Sequence, residues 1–403
     1  GVDDNCDGEI DEGAESACGA GTCVTGECEM PCEAGNIDES FGIDGVAHVN
    51  LGGDDSLNGM AIDDSDRILM TGSAGTSQFE TVRVTADGDL DTSFGDDGQV
   101  STGFPVNSSS SAVAVQDDGQ IVVVGSTSES CSMTWNRYAL VRYNPDGTLD
   151  SSFGSDGTQT TNWGSVGSSL SDVAFQSDGK IVVSGTRYSG GCSPGITHST
   201  VTRYTANGEL DTSFGSGGET RRDIPHGPHH DFNRAVVIAP DDSIFTTGSD
   251  YYHSWAGVQR YGPSGAFLGE IMLSTEYGSG IDIDSHDRIV VGTTLQTARM
   301  DLGGSLDAAF GDGGYADASP GPFSGSAGSI VVDESDRVIV VTNSTTVFRV
   351  ARYRSDGSLD ATFGSGGIME IDPGYDYFRA ATVALQSDGK IIVGGTSDGL
   401  GER

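Results

Sequence analysis

Short apolar runs alternate with polar turn words along most of the chain. The stretches SAVAVQ (111–116) and IVVVG (121–125) are β-branched runs that flank Asp117-Asp118-Gly119. Such runs on either side of an Asp-Gly turn predict a hairpin. A third run, ALVRYN (139–144), leads into Pro145-Asp146-Gly147, a second tight-turn signal. The words NPDGTLDSSFGSDG (144–157) follow, in which Leu149 and Phe153 are the only large apolar residues. Their spacing sustains no helix. The phrase therefore reads as a turn, a short outer strand anchored by Leu149 and Phe153, and a glycine-rich exit.

Both signals recur. The phrase returns as TADGDLDTSFGDDG (85–98), TANGELDTSFGSGG (205–218) and RSDGSLDATFGSGG (354–367). The hairpin returns seven times, with Arg67, Gln120, Lys180, Ser243, Arg288, Arg337 and Lys390 as the residues just after the turn, 45 to 63 residues apart. Periods of this size mean a solenoid or a propeller. Four short antiparallel strands per copy predict an all-β, seven-bladed β-propeller of four-stranded antiparallel blades over residues 36–403. The N-terminal GNIDESFG (35–42) is the tail of a copy without a head, and ALQSDGKIIVGG (384–395) is a head without a tail. The expectation is that an N-terminal strand closes the ring by completing the last blade. In such blades both Asp-Gly turns lie at one face, and the variable connections lie at the other. Arg83, Arg142, Arg203, Arg260, Arg299 and Arg352 recur on the third strand, which predicts an ion pair between blades or a hydrogen bond to a turn.

These phrases resemble the delta-60 repeat family of secreted bacterial proteins, over roughly residues 36–398. The resemblance is strong at LDTSFGDDG (90–98) and QSDGKIVV (176–183) and fades at SGAFLGEI (264–271), which lacks both the Leu-Asp pair and the Phe-Gly pair. It implies a propeller and secretion, and it carries no catalytic residues.

Charge changes the picture of what the ring can meet. Sixty acidic residues face twenty basic ones, a net charge of −40, and lysine occurs only as Lys180 and Lys390. Such a surface repels nucleic acid and anionic membranes and attracts counter-ions or basic partners. It suits either a halophilic setting, where salt screens the self-repulsion, or a function that needs acidity. No run is long and apolar enough to span a bilayer as a helix.

Residues 1–35 form a separate Cys- and Asp-rich module. Cys6, Cys18, Cys23, Cys28 and Cys32 crowd together there, while Cys131 and Cys192 stand alone later. Disulfides in an oxidising compartment are the favoured reading, with a zinc site as the competing one. Cys131 and Cys192 follow equivalent glycines in adjacent copies, so a disulfide between them would staple two blades. In DDNCDGEIDEG (3–13), Asp3, Asn5 and Asp7 alternate before Gly8, with Glu9 and Asp11 beyond. Alternating oxygen ligands and a glycine at the sharp turn suit Ca²⁺. Glu12 or Glu15 would have to close the shell, because Ala14 stands where an EF-hand places its bidentate glutamate. The segment also resembles the Cys/Asp-rich metal-binding motif of deltaproteobacterial surface proteins.

A last constellation is RRDIPHGPHHDF (221–232), whose Arg221, Arg222, His226, His229 and His230 make the most basic spot on the chain. The imidazoles could bind a transition metal, and the arginines could grip a carboxylate or phosphate. Taken together, the expectation is a secreted or cell-surface, non-enzymatic scaffold for protein or glycan interaction, in adhesion or envelope structure. A polysaccharide hydrolase or lyase using the 221–232 loop is one alternative. A structural subunit of an extracellular fibre or surface layer is the other.

Overall fold

A computed structural model describes residues 35–51, 55–75, 77–128, 137–164, 167–189, 196–222, 231–250, 255–274, 278–293, 296–317, 327–343, 347–372 and 378–397. Every regular element among them is a β-strand, so no described helix could cross a membrane. Six sheets have four antiparallel strands each, in simple sequential order: residues 55–102, 107–161, 167–222, 231–274, 278–317 and 327–371. We number them blades one to six. A seventh sheet has two strands only, Phe378–Leu385 and Ile391–Ser397. Its first strand lies against the first strands of blades six and one, which makes the arrangement circular.

The expectation of seven four-stranded blades is thus corrected to a propeller with six. The last sheet lacks third and fourth strands among the described residues, and the N-terminal segment adds no strand to it. Residues 35–46 instead reach their neighbours through turn contacts. The Gly42 amide donates to the Asp87 carbonyl at 2.7 Å, and Lys390 Nζ lies 3.1 Å from Asp38.

The recurring phrase is likewise not a strand. It connects the third strand to the fourth, which begins only after it, as at Gln99–Thr102 and Thr158–Thr161. Positive φ at Gly95, Asp97 and Gly98 bars an extended chain there. The phenylalanines anchor it, with Phe94, Phe153, Phe214 and Phe310 fully buried. The leucines do so only in part: Leu149 stays 42% exposed while covering Gly157.

The core is a set of wedges between blades, not one mass. Val122, Val124 and Leu140 of blade two pack with Leu170, Val183 and Tyr204 of blade three, and the other junctions repeat this layering. Close approach within each blade needs a bare backbone. The first strand carries a β-bulge, as between Ser110 and Ala112, and its Ser109 carbonyl sits where a Gly125 Cβ would be, 2.1 Å away.

The third-strand arginines tie the wedges together, as expected. Arg142 Nε donates to Asp150 at 2.7 Å, its Nη1 donates to the Ala206 carbonyl of the next blade at 2.6 Å, and its guanidinium lies 4.7 Å from the Phe153 ring centre. Arg203 and Arg299 repeat the set with Asp211, Pro263 and Phe214, and with Asp307, Ser355 and Phe310. The Asp150 carboxyl is pushed up by burial, but hydrogen bonds from Ser152 and the pairing with Arg142 outweigh this and hold it below the usual range.

Two inner-strand carboxylates behave oppositely. Asp172 accepts from the Val236 amide of blade four at 2.8 Å, and Asp282 from the Val332 amide of blade six at 2.7 Å. Burial outweighs these bonds and pushes both carboxyls up to about 6. An unfolded Asp titrates near about 4, so folding takes up protons between those values. Their contribution to stability is therefore present at acidic pH and lost as pH rises through about 6. Replacing Asp172 and Asp282 together by Asn should flatten the fall in urea midpoint between pH 4 and 6. An unchanged slope would refute the assignment. Gly125→Ala should cost about 1–3 kcal/mol by overpacking the bulge, read as a lower denaturation midpoint.

Candidate binding face

The two faces of the ring differ in how their polar groups are spent. At one face lie both kinds of tight turn, as shown by Gln176 Nε2, which donates to the carbonyls of Asp242 and Pro263, one on each turn type of blade four. A second latch recurs here. Asp242, with φ of 64°, accepts from the Ser177 amide and hydroxyl of blade three, both at 2.7 Å. Asp66 does the same for Ser387 of the two-stranded sheet, and Asp336 accepts from the Ser285 amide and the His286 ring of blade five.

Asp284, His286 and Asp336 bring three possible ligand atoms within 4.8 Å of one another. The donor set nonetheless suits a cation poorly. Arg288 lies 2.7 Å from Asp284 and 3.6 Å from Asp336, so the carboxylates already have a positive partner. The cluster is a variant of the latch.

The opposite face carries the connections between second and third strands and between blades. A non-repeating polar cluster stands at the junction of blades two and three. At the preceding junction the aromatic pair is Phe79 against Phe104 at 5.1 Å, and Thr127 and Thr158 stand where this junction has Arg187 and Glu219. Here Tyr138 meets Trp163 at 6.4 Å, and the Tyr138 hydroxyl shares a 2.6 Å hydrogen bond with Thr200. Arg187 Nη1 pairs with Glu219 at 2.5 Å, while its Nη2 donates to the Trp163 carbonyl and its guanidinium lies 5.1 Å from the indole. His198 is the cross-strand partner of Arg187 and is buried.

Strand alternation explains who faces whom. Thr200 and Thr202 point to blade two, so their cross-strand partners Arg221 and Glu219 share that side. Burial raises the Glu219 carboxyl, and the charges of Arg187 and then Arg221 pull it back only in part. Trp163 Nε1, Arg187 Nε and Glu219 Oε1 are buried without a hydrogen-bond partner. Such atoms cost free energy unless something answers them. The cluster thus offers two donors and one acceptor between an indole and a phenol.

Of the basic constellation foreseen in the sequence, Arg221 joins this cluster. Arg222 faces blade four, 3.9 Å from the Phe267 ring centre and 3.6 Å from Glu270. The two arginines therefore lie on opposite sides of blade three. His226, His229 and His230 lie outside the described residues, as do the calcium candidates Asp3, Asn5, Asp7, Glu9, Asp11 and Glu12 and all seven cysteines. Sequence reasoning missed Tyr138, Trp163, Arg187, His198 and Glu219. The available signal was departure from the repeat: Glu219 stands where other copies have Gln99, Thr158, Tyr315 and Ile368.

Blades in circular succession, tied by one repeated set of bonds, define the chain as a β-propeller. In agreement, a family model described as a domain of unknown function (DUF5122) beta-propeller matches residues 67–94, 116–153, 176–214, 334–363 and 386–402. No curated protein matches the chain. Among solved structures, a virginiamycin B lyase from Staphylococcus aureus, in complex with quinupristin, is similar at 12% identity with a TM-score of 0.55, covering 86% of this chain and 94% of that one. A protein of unknown function from Bacteroides caccae is similar at 13% identity with a TM-score of 0.44, covering 76% and 98%. A gluconolactonase from Xanthomonas campestris has 16% identity and a TM-score of 0.34, covering 62% and 70%. At these identities the likeness is one of fold.

The Arg187–Glu219 pair can be tested as a coupled unit. Arg187→Met alone should cost about 3–5 kcal/mol by stranding a buried carboxylate. Adding Glu219→Gln should recover most of that loss. Additive losses in a double-mutant cycle would show that the two side chains do not depend on each other.

Proposed function

We propose that the protein is a secreted or cell-surface, non-enzymatic propeller scaffold that holds a protein or glycan partner on the face opposite its tight turns. One observation carries this reading. The turn face spends its arginines, aspartates and carbonyls on bonds between blades, whereas the opposite face bears a polar cluster that breaks the repeat. A site that departs from the symmetry of its scaffold is where a ring presents something specific, and connections at strand ends vary without disturbing the core. The net charge of −40 favours basic partners or counter-ions at long range. Ca²⁺ held by Asp3, Asn5, Asp7, Glu9, Asp11 and Glu12 would belong to the N-terminal module and leave the ring's own ties untouched.

Glu219 supports a second reading. A carboxyl raised by burial beside two arginines is the sort of group an acid–base step uses. One solved structure with a similar fold is a lyase, which supports keeping this reading. A polysaccharide hydrolase or lyase is therefore the alternative.

The test is a glycan array and a pull-down at high salt with Ca²⁺ present, using the native protein, Arg221→Glu and the turn-face control Asp89→Ala. Binding that falls at least tenfold in Arg221→Glu and is unchanged in Asp89→Ala would support the scaffold. Binding lost equally in both, or chain shortening of a bound polysaccharide, would defeat it.

A further inference from the structure

Blade four departs from the others just where its third strand ends. In the other five blades the third-strand arginine turns its Nε and Nη2 edge onto the aspartate of the recurring phrase. Arg142 Nε and Nη2 lie 2.7 and 2.6 Å from Asp150, and Arg352 repeats this at 2.9 and 2.8 Å from Asp360. In blade four the turn over 262–266 runs directly into the fourth strand, Phe267–Ser274, so the phrase and its aspartate are missing.

Arg260 keeps the other two partners of the set. Its Nη1 donates to the Gly303 carbonyl of blade five at 2.5 Å, as that of Arg142 does to Ala206. Phe245 of the second strand lies 5.9 Å from its guanidinium, in place of the phrase phenylalanine. The carboxylate alone is not replaced. Among the described residues no acid pairs with Arg260, and the turn acids on either side are engaged elsewhere, Asp242 with Ser177 and Asp301 with the Ser305 amide. Arg260 Nε is buried and unpartnered, while Nη2, also without a protein partner, is not sealed from water. Loss of the phrase uncovers the side chain as well. The five paired arginines are 1% to 8% exposed, whereas Arg260 is only half-buried.

We infer that the Nε–Nη2 edge of Arg260 is a receptor for one carboxylate carried by a ligand. The same arginine in five other blades shows the bond this edge is placed to make. A desolvated donor without an acceptor costs free energy, which a ligand oxygen would recover through a charge-assisted bond. The surroundings define the rest of the ligand. A Cβ on Gly304 would meet Ile271 Cδ1 at 2.7 Å and Arg260 Nη1 at 3.5 Å, so Ile271 lies beside the guanidinium. Leu268, 54% exposed, adjoins Gly269, the cross-strand partner of Arg260. The ligand class is therefore a small organic carboxylate with an apolar body, taken in preference to sulfate, phosphate or chloride. A net charge of −40 opposes every anion at long range, so the selectivity belongs to the local donors and not to the overall field. The site lies at the tight-turn face, away from the junction of blades two and three, and stands or falls separately from the scaffold reading.

The probe is sodium butyrate, titrated into the full chain at neutral pH and constant ionic strength while the arginine Nε–H resonances are followed. The Arg260 signal is identified by its loss in Arg260→Lys, or by its displacement in Phe245→Leu should the first variant not fold. The expected result is a saturable one-to-one shift of that signal, with those of Arg142 and Arg203, which already hold Asp150 and Asp211, unmoved. Butyrate should bind roughly tenfold or more tightly than sulfate or chloride. No saturable shift, an equal response to sulfate or chloride, or parallel movement of the Arg142 signal would overturn the proposal. So would an Arg260 signal that matches the paired arginines before butyrate is added, because an acid of the chain itself would then hold the edge.

Discussion

The buried guanidinium on the third strand of five blades is the tie on which the ring depends. Arg142 meets a carboxylate of its own blade, a carbonyl of the next blade and a phenylalanine face at once. Burying a charge this deeply is costly unless every donor finds a partner. The partners come from two blades, so neither blade satisfies the arginine alone. Blade four shows the need by its exception. It lacks the Leu-Asp and Phe-Gly pairs, and there Arg260 still reaches the Gly303 carbonyl at 2.5 Å while its Nε is left buried without a partner.

This tie also explains the division of labour between faces. The arginine, the turn aspartate latch and the glutamine donors all converge at the tight turns, where the sequence repeats most closely. Variation there would strand a buried charge. The opposite strand ends carry no such obligation, and it is there that Tyr138, Trp163, Arg187 and Glu219 stand in place of the Phe79, Phe104, Thr127 and Thr158 of the junction before. Ring closure uses the same vocabulary: Ser387 with Asp66, Gln386 with Ala86, and Gly42 with Asp87. Among the described residues the ring therefore closes through turns as well as through the inner strands.

Much of this was legible in the residues. The repeated hairpin word, with Asp-Gly in three copies and a glycine-free aspartate turn in four, located the first two strands of every sheet, and the recurring arginine was legible as an inter-blade tie because recurrence marks a structural duty. The phrase was misjudged as an outer strand because its Leu and Phe look alike on a polar background. Only its left-handed glycines and aspartates, which cannot extend, distinguish a turn from a strand. The number of complete blades was misjudged for a related reason. A repeated hairpin announces two strands, and the third and fourth strands of a blade are spelled elsewhere in the unit.

The sequence by itself determined what is local and repeated: β-strands, the hairpin turns with their Asp-Gly or left-handed Asp, the wedge of Phe153 and its equivalents, and the arginine that joins one unit to the next. Each of these depends on residues a few positions apart, or on the same contact made many times, so the pattern shows in the spelling. Tertiary structure alone decided what is singular. Tyr138 meets Thr200, Arg187 meets Glu219, and the Leu57 amide donates to the Thr396 hydroxyl across the closure of the ring. Those contacts join positions tens to hundreds of residues apart and occur once, and chain folding alone brings such positions together.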